Sequence, residues 1–225
     1  MITTRSLDRS LAVLAALSAA TVVFLVVTIL KTRSTQDFFQ TARTAEAYVA
    51  YLATPLASLG LRIGLGLDNL FMVFYGAFFV LLAVRMGGCV DNRLLTVALA
   101  AMLLTVFLDS LENHHIIMMV HSIQSGLPVS VVDGQFQMVA SQIKFHSSYL
   151  AALLFSFGFL QFGKLGRIIA FVLWAYIPCG ILISVLPVES ARTLVLGRTV
   201  FFIAAFILSA VLFFRQSKAV SQSGG

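Results

Sequence analysis

The chain has 225 residues, of which 60% are apolar and only 11% charged, with a formal net charge of +6. A soluble domain carries about 25% charged and about 45–50% apolar residues, so this composition leaves too little polar surface to cover a globule in water. The basic residues are scattered through short loops and form no contiguous block. That excludes a nucleic-acid partner and leaves the lipid bilayer as the expected surroundings.

A hydrocarbon core about 30 Å thick needs about 20 apolar residues per helix. Six runs meet that need, at about 11–30, 63–84, 94–114, 138–162, 168–187 and 194–214. The first (LAVLAALSAATVVFLVVTIL) is uncharged. It exceeds the roughly 7–15 apolar residues of a signal core, so it is expected to persist as a span. The second is broken only by Asp68 and Asn69, and the third continues as a helix toward Ser122. Between the third and fourth, SGLPVSVVDG reads as a turn. With no soluble insertion, residues 1–225 read as a single polytopic domain. The fold class is an all-α integral membrane bundle of about six transmembrane helices.

The segment from Ser34 to Gly60 is mixed in character, and Pro55 interrupts it. It reads as an outer-face connection between helices 1 and 2, with short helices lying apolar side down on the membrane surface. A re-entrant segment is the sharper alternative.

Basic residues orient the bundle. One side receives Arg5, Arg9, Arg85, Arg93, Lys164, Arg167, Arg215 and Lys218. The other receives Lys31, Arg33, Arg43, Arg62, Arg192 and Arg198. The first side also has the shortest loops (RMGGCVDNR and GKLGR), and short loops carry the positive-inside signal. Both ends are therefore expected in the cytoplasm, in a bacterial cytoplasmic (inner) membrane. Cys89 and Cys179 lack CxxC or zinc-ligand spacing, and no disulfide is expected.

Charges within spans are costly and are functional candidates by default. At about 1.5 Å rise per residue, Asp68 lies roughly 9 Å below the outer end of its span, and Asp109 and Glu112 lie roughly 24 and 28 Å above the inner end of theirs. Lys144 lies roughly 28 Å above the inner end of the fourth span, with His146 slightly deeper. All five converge on the outer third of the bilayer. Asp109, Glu112, Asn113 and Ile116 share one helical stripe. Asp68, Met72 and Tyr75 share another. Ser141, Lys144 and Ser148 form a third, and Gln142, His146 and Tyr149 a fourth. The expected binding residues are Asp68, Asn69, Asp109, Glu112, Asn113, Lys144 and His146.

Three acids face Lys144, with Arg198 as a second cation if the sixth span packs nearby. The remaining charge calls for a proton, a metal or water. The simpler reading makes Lys144 a structural partner of Asp109 or Glu112, with Asn69 and Asn113 as interhelical hydrogen-bond formers. Acids in spans two and three have no counterpart in five and six, which speaks against inverted-repeat transporter plans.

Glu112 and His115 form one Glu-x-x-His, whereas a di-iron bundle needs two such motifs plus two more Glu. The chain's four His cannot supply the His boxes of membrane desaturases. No cofactor is expected. A divalent metal held by Glu112, His115 and His146 with Asp109 is the minor alternative, and ENHH reads first as interfacial polarity. GxSxG, Walker and HExxH motifs are absent. The expected function is binding or transport of a small polar solute, ion or lipid headgroup. The alternatives are a membrane enzyme acting on a lipid and an accessory subunit with a structural ion-pair network. Protein partners are not specified.

Overall fold

The computed structural model describes residues 3–40, 44–186 and 188–222. Among them the chain forms seven α-helices, a short 3-10 turn and no strand. The order is α1 (Thr4–Thr32), the turn (Gln36–Gln40), α2 (Ala45–Leu52), α3 (Pro55–Met86), α4 (Asn92–Gln124), α5 (Val131–Phe159), α6 (Gly163–Val185) and α7 (Val188–Gln222). Arg43 and Pro187 lie outside the described residues, as does the side chain of Arg192.

Local chemistry sets these boundaries. Thr3 caps α1 by accepting the Ser6 N–H at 3.2 Å. Asp91 caps α4 by accepting the Arg93 N–H at 2.7 Å. Pro55 does not interrupt a helix, as its position in the sequence suggests. It occupies the first turn of α3, where its missing N–H has no intrahelical acceptor to lose. The second apolar run is therefore the continuation of a helix that begins eight residues before Ile63. Likewise VVDG of the expected turn is helical. Ser130 and Asp133 form a reciprocal capping box that starts α5 at Val131, which satisfies two otherwise orphaned donors.

The six long helices close a ring. α1 packs on α3, α3 on α4, α4 on α5, α5 on α6, α6 on α7, and α7 returns to α1. From α3 to α7, short connections make successive neighbours antiparallel. The tightest is the α5–α6 turn. There Gly163 has φ +70°, and a Cβ on Gly166 would overlap the Phe159 carbonyl, so only glycine permits the approach. Alanines that are fully buried on α1, α4, α5 and α6 (Ala15, Ala98, Ala151, Ala170) bring the backbones close. Large apolar side chains such as Phe24, Val73, Phe107, Phe171 and Leu196 point outward instead.

Five helices are long and apolar enough to cross a membrane: α1, α3, α4, α6 and the Thr193–Ala219 part of α7. The exception is α5, the fourth run of the sequence. Gln142, Lys144, His146, Ser147 and Ser148 fall within two turns of it and lower its apolar character.

One end of the ring is capped by the segment between α1 and α3. This segment turns its aromatic side chains toward the ring. Phe39 and Tyr48 are buried and stack with ring centroids 5.3 Å apart, and Phe38 stacks on Tyr51 at 3.9 Å. Around them pack Leu61, Leu65, Ile116, Met119 and Val129 from α3, α4 and the approach to α5. At the opposite end, fully buried Asp8 of α1 accepts a 2.6 Å bond from Arg85 Nε of α3. The Arg85 guanidinium also lies 5.1 Å from the Phe162 ring centroid, beside the α5–α6 turn.

Candidate functional site

The ring encloses a chamber of about 200 Å³. Every long helix contributes to its wall, as do Thr35, Gln36 and Asp37 from the capping segment. Most of the wall is apolar, with Val22 and Val26 of α1 facing Phe71, Phe78, Phe202 and Phe206. Asp37, Asp68, Asp109, Lys144 and Arg198 bring charge to it, and Tyr75, Thr105, Ser148 and Tyr176 are among the residues that bring hydroxyls.

The center of the charge is Lys144. Its Nζ lies 2.9 Å from Asp109 Oδ1 and 2.7 Å from Glu112 Oε2. The i, i+3 spacing on α4 places both carboxylates on the face turned to α5. The lysine side chain is 7% exposed, and the two acids 10% and 0%. At these distances the bonds are charge-assisted and short. Tyr75 of α3 donates to Asp109 Oδ2 at 3.0 Å, and Ser141 donates to Glu112 Oε2 at 3.0 Å. One floor below, the Thr105 and Ser147 hydroxyls meet at 2.8 Å.

Asp68 belongs to an adjoining cluster. Asn113 Nδ2 donates to Asp68 Oδ2 at 2.8 Å and to Asn69 Oδ1 at 2.9 Å. Gln36 of the 3-10 turn lies beside Asp68. The buried Asn113 Oδ1 and Gln36 Oε1 have no hydrogen-bond partner among the described residues. On the far wall Arg198 of α7 is buried, with its guanidinium 3.9 Å from the Phe145 ring centroid and 4.0 Å from Asp37 Oδ1.

Of the residues expected from sequence, the structure gathers Asp68, Asn69, Asp109, Glu112, Asn113 and Lys144. Only Asp68, Asp109 and Lys144 face the chamber, while Glu112 and the two asparagines sit behind them between helices. His146 stands apart. It is exposed, its Nδ1 lies 2.7 Å from the Gln142 carbonyl, and its ring is set edge-on to Tyr149. The stripe it shares with Gln142 and Tyr149 is divided, with Tyr149 buried and His146 exposed, so periodicity gave the direction of His146 wrongly.

The histidines do not converge with Glu112. His114 bonds the Ser110 carbonyl at 2.7 Å on an exposed face. His115 bonds Gln137 Oε1 at 2.7 Å and approaches Asp133 at 3.6 Å. The Ser130 backbone N–H and hydroxyl hold the Asp133 carboxyl below its ordinary range. Among the described residues no three His, Cys, Asp or Glu side chains come together as a metal site would require.

Several chamber residues escape the sequence reading. Tyr75 carried a signal, since it follows Asp68 by seven residues on one stripe. Tyr176, whose hydroxyl lies 2.9 Å from that of Ser148, carried none within its apolar run. Gln36 and Asp37 belong to a segment whose fold depends on aromatic packing rather than periodicity. The chain matches no family model, no curated protein and no solved structure, so the chemistry of this chamber is the sole guide to its role.

Proposed function

We propose that the protein crosses a bacterial cytoplasmic membrane six times, with both ends inside, and that its chamber binds or carries a small amphipathic solute. The observation that carries this reading is the character of the wall. A minority of charged and hydroxyl side chains is set among aromatic and aliphatic side chains that make up most of the lining. Apolar walls with a few placed polar groups are the usual build of small-molecule sites. The chamber volume of about 200 Å³ lies below the roughly 300–1,000 Å³ of drug-sized ligand sites, so the ligand is small.

The sixth span in this reading is α5. Ser141, Lys144, Ser147 and Ser148 turn inward, so lipid meets Ile143, Leu150, Leu153 and Phe157, which are exposed on its outer face together with His146. A polar helix is tolerated in a membrane when its charges are paired within the bundle. Orientation by the short basic loops places the capped end of the ring, and with it the charged cluster, toward the outer face.

Charge sets the chemistry. Asp37, Asp68, Asp109 and Glu112 oppose Lys144 and Arg198, leaving two negative charges. Protons on the acids, or cations in the chamber, complete the balance. Glu112 and Lys144 hold α4 to α5, while Asp68 and Asp109 present oxygens to the ligand.

Filling the chamber tests the reading. Ala205 lines the wall from α7, and Ala205→Trp should occupy the space. Small molecules extracted from the purified wild-type protein and the variant are compared by mass spectrometry. An amphiphile recovered from the wild type and lost from the variant is the expected result. Identical extracts would contradict ligand binding in the chamber.

A further inference from the structure

We infer that Arg198 is the anion-binding residue of the chamber, that its ligand carries a single carboxylate on a short apolar body, and that Asp37 occupies the carboxylate's place in the empty protein. This inference rests on the chamber being a ligand site, as proposed above.

The two cations of the chamber differ in how they are compensated. Lys144 has carboxylate oxygens at 2.9 and 2.7 Å, so its single charge is already compensated twice. Arg198 has a side chain just 9% exposed, yet its ion-pair partner among the described residues, Asp37, stands at 4.0 Å. That is the outer limit of an ion pair. A buried guanidinium is costly without a close counter-ion, and its planar fork of five N–H donors matches a carboxylate in two-point contact.

The surroundings fix the fork in place. Phe145 lies against the guanidinium at 3.9 Å, an arrangement that stabilises the cation and sets its plane. Tyr149 lies beside Arg198. The Tyr149 ring lies against Gly180 of α6, where any Cβ would collide with it. Arg198 is thus held by aromatic groups from α5 on the chamber wall.

Asp37 is a removable partner. Its side chain is 44% exposed, and it sits on a five-residue 3-10 turn. The same turn contacts both poles of the chamber, since Gln36 reaches Asp68 while Asp37 reaches Arg198. A carboxylate arriving at Arg198 therefore displaces Asp37 and loosens the capping turn, which couples binding to opening of that end. Asp68 and Asp109 in the same wall disfavour a doubly charged phosphate, and a single guanidinium cannot neutralise one.

Equilibrium binding of radiolabelled octanoate to the full-length protein in lipid nanodiscs tests this, with octylamine and octanol as matched probes. Octanoate should bind saturably and more tightly than the other two. Asp37→Asn should tighten octanoate binding by about three- to tenfold, because the competing self-contact is removed. Arg198→Gln should weaken it by about tenfold or more. Asp37 is half-exposed, so its substitution leaves the fold intact should Arg198→Gln fail to assemble. Equal binding of octanol and octanoate, unchanged in Asp37→Asn, would overturn the anion assignment while leaving an apolar ligand chamber. Preference for octylamine would overturn it in favour of a cationic head on Asp68. Failure of all three probes would overturn it as well, and the Ala205→Trp extraction then decides the chamber reading independently.

Discussion

Lys144→Met should destabilise the protein by about 3–5 kcal/mol, the usual cost of breaking a buried ion pair by removing one partner. The ammonium stands between two carboxylates, at 2.9 Å from Asp109 and 2.7 Å from Glu112, and Glu112 is fully buried. Methionine preserves most of the side-chain volume, so the loss reports charge rather than packing. Without Lys144 the acids either remain charged and uncompensated or take up protons. The second change follows from this. Lys144→Met combined with Asp109→Asn and Glu112→Gln removes the charges together and should recover most of the stability, since replacing all partners is often close to neutral. Thermal unfolding of the two variants in the same detergent separates them. Equal melting of both would show that the trio does not act as one network. An exchange of charges, Lys144→Glu with Glu112→Lys, should also restore a pair between α4 and α5.

Arg85→Met should cost on the order of 3 kcal/mol by the same reasoning, at the other end of the ring. Arg85 closes a contact between α3 and fully buried Asp8 of α1, 77 residues away in sequence. The second Asp8 oxygen has no hydrogen-bond partner among the described residues, so the guanidinium is its main compensation. Arg85 is 18% exposed, which lets water reach the remaining acid and keeps the expected loss below that at Lys144. The cation–aromatic contact with Phe162 adds about 0.5–1 kcal/mol at a partly exposed site. Arg85→Lys should recover only part of the stability, because an ammonium cannot keep both the Nε bond and the planar contact. Asp8→Asn with Arg85→Met should be more stable than Arg85→Met alone. Chemical unfolding of these variants checks the order, and a double variant no better than the single one would remove Asp8 from the interaction.

The helical phase of α4 and α5 is the part of the site most legible in the sequence. Asp109 and Glu112 share a stripe on one helix, Ser141, Lys144 and Ser148 on the other, and charge forces those stripes together. Arg198 was legible as a second cation by its depth from Arg215. Direction was harder to read. Periodicity alone cannot say which of two polar stripes on α5 turns inward, and His146 turns outward. The capping segment was illegible for a different reason. Phe38, Phe39, Tyr48 and Tyr51 pack on one another and on α3, α4 and the start of α5, and such packing leaves no period in the sequence. Pro55 read as an interruption because its meaning depends on position, and at the first turn of α3 it is favourable. The Asp8–Arg85 contact had no local signal. Each residue was visible only as a loop charge, and ring closure is what brings them together.

The crossing of α5 decides between five spans and six, and with it whether Lys144 and the chamber lie within the bilayer. Paired reporters on the two ends of the chain, one fluorescent only inside the cell and one enzymatically active only outside, measure this in intact bacteria. Six spans predict cytoplasmic fluorescence and no external activity at both ends. Opposite signals at the two ends would show an odd number of spans. They would take α5 out of the membrane and contradict the enclosed, charged chamber proposed for the protein.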